Sequence, residues 1–520
     1  MKRLTLLLYF FLFAILDSPG QAEALRYIDQ KDLRAYMNFL AGDEMQGREA
    51  GTNANNIASL YLESNLRKMG IKTPFENSRY LQEFDLKSKR ILKTSLHASS
   101  CNDSDFFSTD SVITIMSGPD VPQVSGELVF AGYGYEDSKT GYSDLKDIDL
   151  KDRIVLIMTR NPVLVDTSAK GSNYVFDEMV EAMKLMSVFM REPKAVLMVY
   201  DPKNSFSDPW ESGLAHYFGE TEHVTLKDDQ LQEAPAGIYF ISENTADNLL
   251  SSTRSSLLQL QDKIDDKKTP CSSVIDGIKV TINILSEERE YTAFNVIGMI
   301  EGSDPVLKNE CVIYTAHFDH SGITPEGEIL NGADDNASGT AGLLEIAEAF
   351  LNLKKKPLRS VVFAWVNAEE KGLLGSGYYS EHPVIPMNKT ILNINLDMIG
   401  RSITPADTGE FFGSRHNVTR TGEIQLFSDN LNEEFRKLVF RSAVETGVSV
   451  LDMGKNMEFG SSDHASLSAK GVPWMFFHSG IHADLHAPGD DIEKIDFGKM
   501  EKVSKLAFLT GYRIACTRRR

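Results

Sequence analysis

The chain has 520 residues, 42% of them hydrophobic, which is enough for more than one core of ordinary domain size. With 54 Lys and Arg against 74 Asp and Glu, the formal charge is -20 and the pI is near 5.1. That balance excludes a phosphate backbone as the main partner, since nucleic-acid binding needs clustered basic residues that release counterions.

At the start of the chain, Lys2 and Arg3 precede an apolar run from Leu4 to Leu16, followed by the small-residue stretch Ala22-Glu23-Ala24. The pattern predicts a signal peptide over residues 1–24. The run is shorter than the roughly 20 apolar residues that span a bilayer, and no later segment reaches that length. The expectation is an exported protein, periplasmic or secreted, with no integral membrane segment in the mature chain. The four cysteines, Cys101, Cys271, Cys311 and Cys516, show no C-x-x-C spacing, which argues against a thiolate zinc site and assigns no disulfide pairing.

Helical periodicity appears in "DLRAYMNFLAGDE" and in "NNIASLYLESNLRKMG", the second closing at Gly70 where a C-cap is expected. The Gly-rich polar turn "MQGREAGT" lies between them. These elements belong to a first segment, residues 25–111. Residues 112–286 change texture to short strand-like runs, "GELVFAGYGYE", "RIVLIMTR", "KAVLMVYD", "AGIYFIS" and "KVTINIL", and read as a separate β-rich insertion with a few helices. Residues 287–520 alternate strand and helix: "FNVIGMIEG", "CVIYTAH", the helical "SGTAGLLEIAEAFLNL", "RSVVFAWVNA", "ILNINLDMIG", the helical "NEEFRKLVFRSAVETG", and "VPWMFFHSG". Such alternation predicts an α/β domain with a mixed, mostly parallel central sheet flanked by helices.

In open α/β sheets ligands bind beyond the carboxyl ends of the strands, and those ends are where ligand-type residues fall. "CVIYTAH" ends at His317, "RSVVFAWVNA" runs into Glu369 and Glu370, "ILNINL" is followed by Asp397, and "VPWMFF" leads through His478 to the loop holding His486. Asp334-Asp335-Asn336 opens the helix after the first of these strands. Two imidazoles and several carboxylates at one sheet edge suit a divalent metal, and mixed N/O ligation without thiolate favours zinc. Adjacent acids such as Glu369 and Glu370 read as a solvated strand end unless other acids converge there. In an extended chain they point opposite ways, so that one can bind an ion while the other faces its water.

The phrases "TAHFDHSG", "NGADDNASG", "NAEEKGLLGS", "NLDMIGR", "SSDHASL" and "DLHAPGDD" follow the order and approximate spacing of the dinuclear zinc aminopeptidases. The chain thus resembles that family, whose relatives include bacterial leucyl aminopeptidase, aminopeptidase Y and glutamate carboxypeptidase. "FLAGDEMQGREAGT" resembles the opening of its bacterial members, and "FAGYGYED" and "DLKDRIVLIM" resemble a protease-associated (PA) domain. The resemblance implies two zinc ions. Asp335 would bridge them, Glu370 and His486 would complete one site, and His317 and Asp397 the other. Glu369 would be the general base and acid. A cis peptide is implied at Asp335-Asn336. Asp319 and Asp490 are candidates for carboxylates that orient the imidazoles, and Asp463 for a hydrogen-bonding support of the site loop. His320, His464, His478 and His482 lie nearby in sequence but match no ligand position, and read as structural imidazoles. Asp334 reads as a helix cap or a solvated side chain. Arg401 reads either as a contact for a substrate carboxylate or as a structural pair. The last motif departs from the His-Thr-x-x-Asp of many members, being His486-Ala487-Pro488-Gly489-Asp490 here.

The function implied is an exported exopeptidase, foremost an aminopeptidase acting on peptides. Carboxypeptidase, dipeptidase or one-zinc glutaminyl cyclase chemistry occurs in the same family. A non-catalytic binding ectodomain is the reading from another class. Relatives of that kind have lost ligands, whereas this sequence keeps all five together with Glu369.

Overall fold

The structure is a computed structural model, and it describes residues 19–518 apart from 101–104, 117, 119–120, 163–177, 207, 211–221, 229–235, 325, 408–409, 412–413, 416 and 456–461. Most of the expected leader, and Cys101, lie outside the described residues. Pro19–Ala24 forms a short helix whose Ala24 is buried. Cys271, Cys311 and Cys516 are free thiols. No helix among the described residues is long and apolar enough to cross a membrane.

The chain divides into two compact units, residues 1–86 with 291–520, and residues 87–290. The units part inside two long strands, β1 (Leu81–Ser100) and β2 (Ser273–Ile300), whereas the composition shifts suggest joints at 111/112 and 286/287. A strand that passes from one unit to the next keeps its apolar-polar alternation, so its sequence shows no break.

In the first unit, α1 (Gln30–Leu40) starts where the Asp29 carboxylate accepts from the backbone N–H groups of Lys31 and Asp32. Helix α2 (Asn53–Met69) is capped by Thr52 and ends at Gly70, whose φ of 85° suits a residue without Cβ. The sheet follows the order β7 (Ser449–Gly454), β6 (Glu423–Asp429), β8 (Trp474–His478), β5 (Thr390–Leu396), β3 (Cys311–His317), β4 (Ser360–Val366), and the last residues of β2. Strands β8, β5, β3 and β4 run parallel, while β6 and β2 are antiparallel to β8 and β4. His317 pairs in register with Val366, and Leu396 with Phe477, so the carboxyl ends of the four parallel strands share one edge.

Helices cover both faces of this sheet, which explains why its strands read as unbroken apolar runs. Val312, Tyr314 and Ala316 pack in one core with residues of α3 (Gly339–Leu351) and α4 (Phe497–Ala515), whereas Cys311 and Ile313 point into another with Tyr379 and Leu467. Gly511 of α4 is a close-approach position, since a Cβ there would lie 1.8 Å from the Tyr314 hydroxyl.

Glu345, buried in α3, accepts a hydrogen bond of 2.8 Å from the backbone N–H of Asp29. Burial, aided by the charges of Asp32 and Glu348 and opposed by that bond, pushes its carboxyl up to about 8. The native state therefore keeps this proton through a range in which the unfolded chain, with a Glu pKa of about 4.3, has lost it. Stability from this group is complete below about pH 4 and declines as pH rises toward 8, by on the order of 5 kcal/mol. Glu345→Gln is expected to flatten that slope. Its melting temperature should match the native protein near pH 5 and exceed it at pH 8, and equal melting temperatures at pH 8 would refute the assignment.

The second unit holds strands 123–130, 154–158, 195–199 and 237–241, mutually parallel in that order, with the first residues of β2 and strand 112–116 antiparallel at the two sides. Helices Glu178–Phe189, Glu243–Leu249 and Leu257–Lys267 accompany them. Leu156 and Leu197 pack on the side of Leu249 and Ile264, and Val155 and Val196 on the side of Leu185 and Val188. A buried charge here is paired: Arg160 donates to Asp201 through Nε and Nη2 at 2.7 and 2.6 Å.

Candidate metal centre

The five expected ligands and Glu369 come together where β3, β4, β5 and β8 end. His317 is the last residue of β3 and is 1% exposed. Its Nδ1 lies 3.2 Å from the Asp319 backbone carbonyl, which can only accept, so Nδ1 carries a hydrogen and the ring is turned with Nε2 toward the acids. Nε2 faces Asp397 Oδ1 at 3.3 Å and Asp335 Oδ1 at 3.4 Å, with Glu369 Oε2 further off at 4.0 Å. Asp335 Oδ2 lies 3.2 Å from His486 Nε2, which is also 3.3 Å from Glu370 Oε2. The two oxygens of one carboxylate thus face two imidazoles from different parts of the chain, and Asp335 stands between two clusters. Donor atoms of His317, Glu369 and Asp397, and of His320, Asp335 and Glu370, form two groups whose members lie within 4.8 Å of one another.

The loops that carry these side chains depend on unusual backbone. Ala368, Met398 and His486 have φ of 55°, 55° and 52°, a left-handed conformation that non-glycine residues rarely adopt, and each is at or next to a ligand-type residue. Strand β4 stops at Val366, so Glu369 and Glu370 sit on a turn and not in extended chain. Their carboxylates still diverge, the first toward His317 and the second toward His486. The Asp319 carboxylate accepts from the N–H groups of both Glu369 and Glu370, at 3.1 and 3.3 Å. It therefore holds the turn, while its backbone carbonyl orients His317. Asp490 takes a similar part in the bridging loop, accepting from the N–H groups of Asp334 and Asp335 at 3.0 Å each. The Asp335-Asn336 peptide is cis. Asp463 is fully buried, and burial, with Asp397 and Asp319 adding to it and His317 opposing, pushes its carboxyl up to about 7.

Burial and the charges of Glu370, Asp463 and Asp397 raise Glu369 well above the usual carboxylate range, against the pull of His317. For His317, burial acts against the charged form, but Asp397 and Glu369 outweigh it and raise its pKa well above the ordinary value. The protein alone thus keeps protons on groups that a divalent cation would strip.

The remaining histidines divide. His464 packs against the Trp474 ring with centroids 4.2 Å apart, the His478 Nδ1 accepts from the Gly480 N–H at 2.8 Å, and the His482 Nδ1 accepts from the Asp484 N–H at 3.2 Å; these are structural imidazoles. His320 is different, with its Nδ1 2.7 Å from Glu370 Oε1. Asp334 is buried, and its Oδ1 accepts from the Gly400 N–H at 2.6 Å. Arg401 is 1% exposed and donates to Asp484 at 2.7 Å, so it is a structural pair.

Two supports went unnoticed in the sequence. The Ser462 hydroxyl donates to Asp397 Oδ2 at 2.8 Å, leaving Oδ1 toward His317. Arg48, in the turn "MQGREAGT", is wholly buried and donates to the carbonyls of Phe318, Asn331 and Gly332 at 2.9, 2.8 and 3.0 Å, and to that of Leu40. Burial lowers it to about 10 against the pull of Asp335, Asp319, Asp490 and Glu370, so it is cationic at neutral pH beneath an acidic site. The only hint in the sequence is a lone Arg within a polar turn.

An α/β sheet thus carries paired acid-imidazole clusters at its carboxyl edge, a donor set suited to divalent metal ions. Residues 295–510 match the model of peptidase family M28. Leucine aminopeptidase 2 of Trichophyton equinum is 35% identical over 157 residues, which cover 30% of this chain and 30% of that protein. Leucine aminopeptidase 1 of Ajellomyces dermatitidis is 31% identical over 241 residues, covering 44% of this chain and 58% of its own length. The chain therefore spans less than two thirds of these curated relatives. The solved aminopeptidase from Aneurinibacillus sp. strain AM-1 shares the fold with a TM-score of 0.57 at 19% identity, covering 95% of each chain.

Proposed function

We propose that the protein is an exported, zinc-dependent exopeptidase that removes N-terminal residues from peptides. The observation that carries this reading is a set of four distances. Zinc bonds of about 2.0–2.2 Å at tetrahedral angles separate neighbouring donor atoms by about 3.3–3.5 Å. His317 to Asp397 and to Asp335, and His486 to Asp335 and to Glu370, are separated by 3.3, 3.4, 3.2 and 3.3 Å. The residues fit two ions that share Asp335, one with His317 and Asp397 and one with His486 and Glu370. Zinc bound there supplies Lewis-acid polarisation of a carbonyl and lowers the pKa of water.

Glu369, beside His317 and Asp397 but outside the four close contacts, takes the proton of the attacking water and returns it to the leaving amine. Its raised pKa in the metal-free chain is no obstacle, because divalent charge on its neighbours favours the ionised form. Asp319, Ser462 and Asp490 keep the turn, the Asp397 carboxylate and the bridging loop in place.

The choice of an amine over a carboxylate at the substrate terminus rests on Arg401, which is buried against Asp484 and offers no fork to a terminal carboxylate. Export rests on the basic, then apolar, then small-residue pattern of residues 1–24. The PA-like reading of the second unit rests on its "FAGYGYED" and "DLKDRIVLIM" phrases together with its parallel strands. A panel of aminoacyl anilides assayed beside N-acylated peptides tests the specificity. Turnover of free N-termini, lost on chelation and restored by zinc, is expected; cleavage confined to N-blocked substrates would overturn the aminopeptidase reading.

A further inference from the structure

We propose that His320 is a positioning residue that presets Glu370 to offer a single oxygen, Oε2, to an ion held with His486 and Asp335. The inference rests on the zinc reading above and goes beyond it, since His320 matches no ligand position.

The argument begins with a distance. His320 Nδ1 lies 2.7 Å from Glu370 Oε1, clearly shorter than the 3.2–3.4 Å that separate the pairs assigned to a shared ion. A nitrogen and an oxygen at 2.7 Å are hydrogen-bonded, and because a carboxylate only accepts, Nδ1 is the donor. Oε1 is therefore engaged, and Oε2 remains toward His486 at 3.3 Å. The same Nδ1 is 3.6 Å from Asp335 Oδ2, too far for a direct bond.

The ring has little freedom to turn away. His320 is wholly buried, and it lies against Gly332, where a Cβ would come within 2.5 Å of its Cγ and Cδ2. Gly332 has φ of 55°, and its carbonyl is held by Arg48 Nη2 at 3.0 Å. The same guanidinium holds the Phe318 carbonyl two residues before His320. Arg48 thus clamps the backbone on both sides of the ring, and the ring in turn holds the carboxylate. Without His320, Glu370 Oε1 loses its one hydrogen-bond partner among the described residues and is free to rotate or to chelate with both oxygens. Partners of this kind typically change metal affinity by about 10–100-fold.

Zinc titration of the full chain, stripped with a chelator and then loaded against a chromophoric competitor of known affinity, tests the inference directly. Native protein is compared with His320→Asn, His320→Gln and His320→Leu, each checked by circular dichroism and thermal melting. An Asn amide nitrogen reaches the place of imidazole Nδ1, whereas a Gln amide nitrogen reaches that of Nε2. Expected are near-native affinity in His320→Asn and approximately 10–100-fold weaker zinc binding at the His486–Glu370 side in both His320→Gln and His320→Leu, with binding at the His317–Asp397 side unchanged. Native affinity in His320→Leu would overturn the proposal, as would a loss in His320→Asn equal to that in His320→Leu. Native protein that binds no zinc would instead overturn the proposed function itself.

Discussion

Replacing Glu369 by Gln is expected to lower kcat by about 10²–10⁴-fold while both zinc ions remain bound. The amide keeps the size of the side chain but cannot accept the proton of the attacking water. It also removes a charge from a cluster in which Glu369 crowds Glu370, Asp463 and Asp397. Since Glu369 Oε2 is 4.0 Å from His317 Nε2, outside the range of the four close pairs, metal content should not suffer. The measurement is zinc content together with steady-state kinetics on an aminoacyl anilide. KM should change little, because the lost interaction belongs to the transition state. Activity of Glu369→Gln within a few-fold of native would dismiss Glu369 as the base, and loss of zinc would make it a ligand.

The second large effect is expected at Asp335. Its two oxygens face His317 and His486, so Asp335→Ala takes a donor from both clusters at once, whereas Asp397→Ala takes one from the His317 side alone. Loss of a buried charged partner costs about 3–5 kcal/mol, roughly 10²–10⁴-fold in affinity. Asp335→Ala should weaken both zinc sites by that order and abolish measurable turnover, while Asp397→Ala should leave one site near its native affinity. Equal metal uptake by the two variants would show that Asp335 is not shared.

Much of the first unit was legible in the sequence, for identifiable reasons. Runs such as "CVIYTAH" and "RSVVFAWVNA" are apolar at every position because helices cover both faces of the sheet, and the periodic helices between them announce the crossovers. Histidine and acidic residues at the ends of such runs stand out because nothing in a buried strand requires them. Position in the chain therefore indicated His317, the Glu369-Glu370 pair, Asp397, the loop of His486 and the Asp334-Asp335 pair as companions; the family resemblance singled out His317, Asp335, Glu370, Asp397 and His486 among them, and the structure brings these five within a few ångströms.

Other features left no trace in residue type. The turn that carries Glu369 and Glu370 depends on left-handed Ala368, a conformation that alanine does not advertise. Asp319 reads as an orienter of His317, yet its carboxylate holds the backbone of the Glu369-Glu370 turn and its carbonyl does the orienting. Arg48 lies about 270 residues from Phe318, whose carbonyl it holds, and no local pattern links the two.

What the sequence determined by itself was the order of strands and helices and the kind of atom at each strand end, because burial and donor chemistry are written in single residues and short periods. What only the tertiary structure decided was which oxygen faces which imidazole, that His320 serves Glu370, and where the two units part. Those depend on side-chain direction at turns and on contacts between distant segments, and both are settled only once the chain has packed.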